Sequence, residues 1–317
     1  MSELEKAAEI IRGGGVVAFP TETVYGLGAD VRNPMAVARI FELKERPHFD
    51  PLIVHIADMD QLKELTSLRD PRIYELAHAF WPGPLTMVLP KSDLVPDIVT
   101  SGLPTVGVRM PDHPMAQELI RKAGCPLAAP SANKFGKKSP TEPWHVRKHL
   151  PDVDMILEGG KTRVGIESTV IALRPDGFQL LRPGAVTRDD LDKILPESFD
   201  IPMMADPEAP GMLASHYSPS KPFFIFSPEM LSGVDPSESG FIGFQGEVPA
   251  SFKEVLILSP GGDLKEYATR IFGAMHQMEA SDINTIVVEP VPEKGIGVAI
   301  MDRLRKAAHD WKSEEGE

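Results

Sequence analysis

Cysteine and tyrosine are scarce in this sequence. Its 317 residues include one Cys, three Trp and four Tyr. A single Cys cannot form a disulfide within the chain, which excludes a disulfide-stapled scaffold, and it also excludes zinc sites that need several Cys ligands. Because a reducing compartment suits such a chain, we expect a cytoplasmic protein.

Long hydrophobic runs are missing as well. No run approaches the roughly 20 apolar residues that a membrane-spanning helix needs. The first ten residues, MSELEKAAEI, lack the basic start and apolar stretch of a signal peptide. Hydrophobic residues make up 42% of the chain and charged residues 25%, as in ordinary folded proteins. We therefore expect no membrane partner, and the length favours two domains.

Basic residues are fewer than acidic residues. The chain has 33 Lys and Arg against 46 Asp and Glu, a formal net charge of −13, so its surface as a whole should repel nucleic acid. The distribution is uneven, because residues 101–150 contain eight basic and three acidic residues, whereas residues 201–300 contain five and thirteen. An acidic protein with one basic segment favours a small anionic ligand over a polyanion.

Apolar periodicity and turn residues predict alternating helices and strands. Ser2 and Glu5 have capping-box spacing at the start of a first helix that Gly13–Gly15 ends, and Asn33-Pro34 opens a second helix that stops near Arg46-Pro47. Asp176-Gly177 is a hairpin signal, so the sheet should be mixed rather than purely parallel. Further helices are predicted at 71–80, 114–123, 187–195 and 264–278, and strands at 16–19, 52–56, 85–89, 105–109, 127–129, 155–157, 168–173, 178–182, 223–226, 241–244, 255–258 and 285–289.

These elements predict an α/β fold class, with an open twisted mixed sheet flanked by helices and a smaller Rossmann-like α/β domain at the C-terminal end. Composition shifts after about residue 187, where prolines punctuate a stretch without periodicity. The predicted organisation is a first domain at 1–190, a Pro-rich linker at 191–222 and a small domain at 223–317. Such a linker is stiff and semi-extended.

Three motifs that could carry chemistry have simpler interpretations. Residues 160–169, GKTRVGIEST, have the glycine interval of a phosphate loop but lack the Gly-Lys-Ser/Thr that completes it. Cys125 has no His or Asn pattern nearby and is interpreted as a small buried hydrophobe. His145 and His149 are four residues apart, without an evident third metal ligand, and are interpreted as a solvated helix face.

Polar and charged residues also stand at the ends of several predicted strands and helices. Strand ends in an open α/β sheet meet at one edge, where ligands usually bind. Cations together with hydroxyl and amide donors suit a ligand set that carries phosphate and carboxylate groups. Besides Ser and Thr hydroxyls, the convergent set consists of Lys44, Arg46, Arg109, Asn133 and Arg182.

Seven ordered segments of the chain resemble threonylcarbamoyl-AMP synthases, which carry a YrdC-type domain. The resemblance spans residues 5–190, and APGMLASHYSP (209–219) is similar to the linker of the long, two-domain form. The segments are PTETVYGLG (20–28), KERP with DPLIVHI (44–56), WPGPLT (81–86), VGVRMPDHP (106–114), PLAAPSAN with SPT (126–141), GIESTVI (165–171) and LLRPG (180–184).

The resemblance implies an enzyme that forms threonylcarbamoyl-adenylate and pyrophosphate from L-threonine, bicarbonate and ATP. The product would feed the N6-threonylcarbamoyl modification of adenosine 37 in tRNA, through a downstream transferase machinery. Mg²⁺ would bridge the phosphates of ATP, and no metal site formed by the protein alone is expected. Direct binding to tRNA is expected to be weak, given the net charge.

The resemblance also assigns roles to individual residues. Lys44 and Arg46 match the phosphate-binding cations and are the predicted catalytic residues. His216 and Tyr217 match a segment that lies over the site as a lid. The nucleotide contacts further include Asp50, Thr105, Ser131, Asn133, Ser139 and Arg182, and the threonine pocket consists of Thr23, His55, Arg109, Ala129 and Ser168.

The chain departs from the family pattern at a few positions. Asp50 stands where the family usually has Asn, and a carboxylate there would repel phosphate unless it holds Mg²⁺ directly or through water. Leu213 and Ala214 replace a Lys and a Tyr of the linker. Two other functions stay open: a non-enzymatic RNA-binding protein, which the charge disfavours, and a carbamoyl-adenylate enzyme of hydrogenase maturation, whose zinc-finger cysteines are missing.

Overall fold

The computed structural model of the chain describes residues 1–175, 177–195 and 216–311. Asp176 of the predicted hairpin, Leu213 and Ala214, and most of the predicted Pro-rich linker lie outside these residues. Both parts of the predicted α/β fold class are confirmed: the described residues form one large mixed sheet and one small parallel sheet.

The larger sheet contains nine strands within the described residues, in the order β7-β1-β2-β6-β3-β5-β4-β8-β9. It combines three parallel pairs with five antiparallel pairs, and β8 pairs antiparallel with β9, as the hairpin signal predicted. The strands are β1 (Val17–Pro20), β2 (Tyr25–Asp30), β3 (Ile53–His55), β4 (Leu85–Pro90), β5 (Thr105–Arg109), β6 (Leu127–Ala128), β7 (Met155–Ile156), β8 (Thr169–Arg174) and β9 (Gly177–Arg182).

The helices of this part begin where capping residues and prolines place them. The hydroxyl of Ser2 and the carboxylate of Glu5 form the predicted capping box, and Asn33 caps the helix that Pro34 opens. The helices are α1 (Glu3–Arg12), α2 (Pro34–Lys44), α3 (Met59–Leu65), α4 (Pro71–Phe80), α5 (Asp97–Thr100), α6 (Pro114–Ala123), α7 (Pro143–His149) and α8 (Arg188–Asp192).

Alternation along the strands divides the core between the two faces of the large sheet. Val16 and Ala18 pack on the face that α2 and α4 cover, whereas Val17 and Phe19 pack on the face that α1 and α6 cover. Because successive side chains of a strand point to opposite faces of the sheet, one strand contributes to both layers of the core. The polar strand ends are left at the edge between the layers.

The smaller sheet has four parallel strands in the described residues, in the order β10-β13-β11-β12. The strands are β10 (Phe223–Ile225), β11 (Ser239–Gly243), β12 (Glu254–Ile257) and β13 (Thr285–Val288); the helices are α9 (Leu264–Ala280) and α10 (Ile296–Ala307), with 3-10 helices at Glu229–Gly233, Pro236–Glu238 and His309–Trp311. The hydrophobic core around this smaller sheet also contains Ile166 and Tyr217, which belong to segments outside the sheet.

Several features differ from the sequence predictions. Residues 25–30 form β2 although Gly26 and Gly28 interrupt the apolar pattern; a Cβ at Gly28 would lie 2.6 Å from Cε1 of Phe19, so glycine is required where β1 and β2 pair. Helices α3, α5 and α10 were not predicted either. The solvated helix face assigned to His145 and His149 is wrong, because His145 is fully buried and its ring stacks on that of His276 at 3.8 Å between centroids.

The described residues contain no helix that could cross a membrane. None of their helices combines the length and the apolar character that crossing a bilayer requires.

Candidate active site

A cleft of about 530 Å³ lies at the edge where the strands of the large sheet end, a volume that includes its open mouth. The segments that follow β1, α2 and β6 line it, as do residues of β2 and β3 and the last residues of β5 and β9. The segment before β8 and two residues of the chain that leads to β10 complete the lining. The lining residues are Thr21, Thr23, Val24, Gly26, Arg46, Ile53, His55, Arg109, Ala129, Pro130, Ser131, Glu167, Ser168, Arg182, His216 and Tyr217.

Arg109, the last residue of β5, is the buried cation at one end of this cleft. One terminal nitrogen donates to the hydroxyl of Thr23 at 2.9 Å, and its Nε donates to the carbonyl of Gly83 at 3.3 Å. The other terminal nitrogen lies 2.6 Å from Oε1 of Glu22, an ion pair with a side chain that is itself buried. Glu22 therefore balances the guanidinium charge and holds its plane fixed.

His55 lies beside Arg109, because β3 and β5 are parallel and these two residues are partners in the register. Burial, and then the charge of Arg109, lower the pKa of His55 to about 3. The imidazole is therefore neutral at physiological pH. Its Nδ1 has no hydrogen-bond partner within the described part of the chain, so it is available to a ligand.

Arg46 is the second buried cation of the cleft, and a carboxylate holds it from behind. Its terminal nitrogen lies 2.8 Å from Oδ2 of Asp50, and it donates to the carbonyls of Asp50 and Pro51 at 3.0 and 2.8 Å. Burial raises the pKa of Asp50, although the charges of Arg46 and Lys44 oppose this effect. Arg46 is thus fixed at the end of α2 with its charge partly offset.

Lys44 organises the loop after β6. Its ammonium donates to the carbonyls of Ser131 and Asn133 at 2.6 and 2.5 Å. The amide of Asn133 donates to the carbonyls of Lys134 and Lys137 at 2.8 and 2.7 Å, which closes the same loop. Burial, and then the neighbouring charge of Arg46, hold the pKa of Lys44 well below its ordinary value.

Arg182, at the end of β9, is held against Ser168. Its Nε donates to the carbonyl of Ser168 and a terminal nitrogen donates to the hydroxyl, both at 3.1 Å. The hydroxyl of Thr86 lies 2.8 Å from the same serine hydroxyl. Ser168 therefore connects the cation of β9 with the strand β4.

Glu167 is a cleft residue that sequence reasoning left without a role. Its Oε1 accepts a short hydrogen bond from the hydroxyl of Ser139, and its Oε2 lies 3.0 Å from Nε of Arg303 in α10. Burial opposes ionisation of Glu167, but the charges of Arg303 and Arg182 outweigh it and lower its pKa to about 2. The carboxylate is therefore charged at neutral pH.

His216 and Tyr217 close one side of the cleft. His216 packs edge-on to Phe135 with 6.0 Å between ring centroids, and burial is the main cause that lowers its pKa to about 3. Tyr217 is fully buried and has a φ of 65°, a left-handed conformation that is rare for a bulky residue. The ring of Phe272, 5.4 Å away, packs against it.

Two family models match the sequence. The Sua5/YciO/YrdC model, described as "Telomere recombination", matches residues 9–184. The model described as "Threonylcarbamoyl-AMP synthase, C-terminal domain" matches residues 186–309.

Relatives named threonylcarbamoyl-AMP synthase align with nearly the whole chain. The threonylcarbamoyl-AMP synthase of Pyrococcus abyssi is 43% identical over 95% of this chain and 93% of its own length, and that of Bacillus subtilis is 40% identical over 96% and 93%. The chain belongs to the threonylcarbamoyl-AMP synthase family. The crystal structure of P. abyssi Sua5 complexed with L-threonine has a TM-score of 0.89 at 41% identity, over 97% of this chain and 94% of that one.

In this threonylcarbamoyl-AMP synthase family member, most of the predicted site residues lie together. The five residues predicted for threonine all line the cleft, as do Arg46, Ser131, Arg182, His216 and Tyr217. Lys44, Asp50, Asn133 and Ser139 are buried directly behind that lining. Their individual roles stay predictions.

Thr105 is not brought to the cleft with the others. It begins β5, whereas Arg109 ends that strand, and four residues of extended chain separate the two by about 13 Å. The nucleotide contact assigned to Thr105 stays a prediction.

The site's fit to Mg²⁺ can be judged from Asp50. Neither carboxylate oxygen of this buried side chain accepts a hydrogen bond from any described residue, although one forms the ion pair with Arg46. Hard carboxylate oxygens are the ligands Mg²⁺ prefers. Asp50 therefore fits as a single ligand to a cation carried by phosphates; the described residues contain no group of three or more His, Cys, Asp or Glu able to hold a metal.

Arg303 was missed altogether by sequence reasoning. A signal was present, because Ile296, Ala299, Ile300, Leu304 and Ala307 form the buried stripe of α10 and Arg303 falls within it. A charged residue in such a stripe indicates a buried partner.

Proposed function

We propose that this enzyme forms threonylcarbamoyl-adenylate and pyrophosphate from L-threonine, bicarbonate and ATP. The observation that supports this most is the grouping in one cleft of two kinds of subsite. A hydroxyl-rich pocket around Arg109 suits an amino acid, and the cations Arg46 and Arg182 suit phosphate. The product would feed tRNA modification through a separate transferase machinery.

The amino-acid end of the cleft recognises threonine in this proposal. The guanidinium of Arg109 pairs with the carboxylate, since its planar fork suits bidentate contact. Thr23 and Ser168 offer hydroxyls to the side chain of the substrate, and the small Ala129 leaves room for its methyl group. A pocket that hydrogen-bonds a hydroxyl rejects amino acids that lack one much better than an apolar pocket does.

The chemical step needs little proton transfer by the protein. Bicarbonate and the threonine amine give a carbamate with loss of water, the carbamate oxygen attacks the α-phosphorus of ATP, and the bond to pyrophosphate breaks. Arg46 and Arg182 neutralise the phosphates and the charge that develops on the leaving group. Orientation of the two substrates in one cleft supplies much of the remaining rate.

Mg²⁺ bound to the ATP phosphates is part of this proposal, and Asp50 is the residue that would face it. The cation would neutralise phosphate charge. His216 and Tyr217 keep water from the carbamate and the mixed anhydride, because both hydrolyse readily. ATP and the proposed pathway place the protein in the cytoplasm.

Direct RNA binding finds less support in the structure. Several cations of the basic segment 101–150 are paired with carboxylates, which reduces their attraction for phosphate. These pairs are Lys122–Glu118, Lys134–Glu45, Lys138–Glu279, Arg147–Glu158 and Lys148–Glu279.

Pyrophosphate release from ATP tests the proposal. We expect release that requires both L-threonine and bicarbonate, and that falls strongly when L-valine replaces L-threonine. Bicarbonate-depleted buffer and omission of the amino acid are the controls. Release that is indifferent to threonine would contradict the assignment.

A further inference from the structure

Arg303 belongs to the smaller α/β part of the chain but contacts the catalytic cleft. It is 1% exposed, and its Nε lies 3.0 Å from Oε2 of Glu167. A terminal nitrogen donates to the carbonyl of Pro183 at 2.8 Å and to Oδ2 of Asp302 at 2.7 Å. One guanidinium thus joins α10 to the segments before β8 and after β9.

Glu167 connects Arg303 with the nucleotide side of the cleft. Its second oxygen accepts the hydrogen bond of Ser139, in the loop that Lys44 and Asn133 organise. The next residue, Ser168, is held by Arg182 through its carbonyl and its hydroxyl. Residues 167 and 168 are therefore fixed from behind by Arg303 and from the cleft by Arg182.

The same helix also supports the residues that close the cleft. The guanidinium carbon of Arg303 lies 5.7 Å from the centre of the Tyr217 ring. The amide of His216 donates to the carbonyl of Lys306 at 3.4 Å, in the next turn of α10. Arg303 is thus placed between the carboxylate of Glu167 and the covering residues.

A role in stability alone explains this arrangement poorly. Removing two charges from water costs free energy that their attraction often fails to recover, and well-packed apolar residues are commonly as good. The buried stripe of α10 offers an apolar environment for such a replacement. A buried guanidinium is better suited to fixing the orientation of a carboxylate, which apolar packing cannot do.

We propose that Arg303 is a positioning residue for the ATP side of the cleft. It orients the Glu167 carboxylate, which fixes the Ser139 hydroxyl and balances the charge of Arg182. The second domain thereby contributes to nucleotide binding without touching the nucleotide. This inference rests on the proposed function for the identity of the nucleotide.

The test compares Arg303→Met and Arg303→Lys with Arg305→Met in the full-length protein. Arg305 lies two positions after Arg303 on α10, and it forms an exposed ion pair with Glu293. For Arg303→Met we expect the KM for ATP to rise about tenfold, because small displacements of binding groups are costly, while the KM for threonine changes by less than about twofold. Arg303→Lys keeps the charge and should recover most of this loss, and Arg305→Met should match the unmodified protein.

Binding of a non-hydrolysable ATP analogue, measured by calorimetry, separates this proposal from the proposed function. If the unmodified protein releases no pyrophosphate, the proposed function fails, and Arg303 is then judged by the analogue, whose affinity Arg303→Met should lower about tenfold. If Arg303→Met is poorly folded, Arg303→Gln, which keeps a hydrogen-bond donor but not the charge, takes its place and should lower the affinity for the analogue about tenfold. Equal changes for ATP and threonine, or an unchanged affinity for the analogue in a folded variant, would overturn the proposal.

Discussion

The two sheets share an architectural rule but use it differently. Strand ends of open α/β sheets form a natural crevice. In the large sheet that edge carries Arg109, Arg182 and a ring nitrogen of His55 that has no hydrogen-bond partner among the described residues. In the small sheet the corresponding ends are bonded within the same domain: Glu289 accepts from the amide of Phe244 at 2.5 Å, and the hydroxyl of Ser259 donates to Glu266 of α9 at 2.7 Å.

This difference shows that topology supplies a place for a ligand but not the chemistry that binds it. The polar groups of the small sheet hold its own loops in position. Those of the large sheet are buried, charged and only partly balanced, a combination that is costly without a ligand. Substitutions at the two sheets should therefore have different effects on substrate binding.

The largest effect is expected for Arg109→Lys. Lysine keeps the charge but loses the planar fork, so the KM for threonine should rise about 100-fold in pyrophosphate-release assays, as for loss of a charged bidentate contact. Glu289→Ala, at a strand end of the small sheet, is the matched control, and its kinetics should change by less than about twofold. Similar kinetic losses in both variants would remove the distinction between the two sheets.

The next effect concerns the contact between the two parts. Lys138 is fully buried and lies 2.5 Å from Glu279 of α9. Glu279→Gln leaves that ammonium unpaired, so we expect the free energy of unfolding to fall by about 3 kcal/mol in urea titrations. Glu293→Gln removes an exposed partner instead and should cost less than about 0.5 kcal/mol, since surface pairs contribute little. Equal losses would mean that Lys138 is not effectively buried.

A smaller effect is expected where β1 and β2 pair. Gly28→Ala places a Cβ 2.6 Å from Cε1 of Phe19, and the resulting overpacking should cost about 2 kcal/mol of unfolding free energy. Gly261→Ala, beside the small sheet, meets no atom of the described part of the chain within 4 Å and should be neutral. Thermal unfolding of both variants distinguishes steric cost from a general intolerance of alanine.

The smallest effect per residue is a dependence of stability on pH. Burial lowers the pKa of His145 to about 3 and that of His149 to about 4, from an ordinary 6.5. As the pH falls, both histidines are therefore protonated in the unfolded chain before they are protonated in the folded protein. The free energy of unfolding should fall as the pH drops from about 6.5 toward 4, by about 1 kcal/mol for each histidine at pH 5.5. Urea unfolding between pH 7.5 and 5 measures this.

His149→Phe keeps a ring but not the titration, so its stability should fall less steeply over the same pH range. A slope that His149→Phe does not alter would assign the pH dependence to other groups.

Much of the fold could be predicted from the sequence because local signals were strong. Helices α4 and α6 begin and end at the predicted residues, since Pro71 and Pro114 occupy first helical positions. Strand β2 could not be predicted, because the two glycines that allow its close pairing also remove the apolar alternation. The burial of His145 depends on α9, more than a hundred residues away along the chain.

The residues of the candidate site were likewise predicted where local sequence signals exist and missed where distant parts of the chain meet. Strand-end residues such as Arg109 and Arg182 were predicted because sheet geometry gathers strand ends. Glu167 received no role from the sequence, and neither did Arg303. Their pairing joins two cores, and no local pattern reports a partner 136 residues away.

The lone Cys125 has a practical consequence for spectroscopy. It is buried, and burial, then the charge of Asp30, raise the pKa of its thiol to about 12, so almost none of the reactive thiolate forms at neutral pH. The unmodified chain is therefore a ready background for site-specific labelling with maleimides. Spin labels on Met35→Cys in α2 and Val298→Cys in α10, both exposed positions, would report the distance between the two domains as substrates are added.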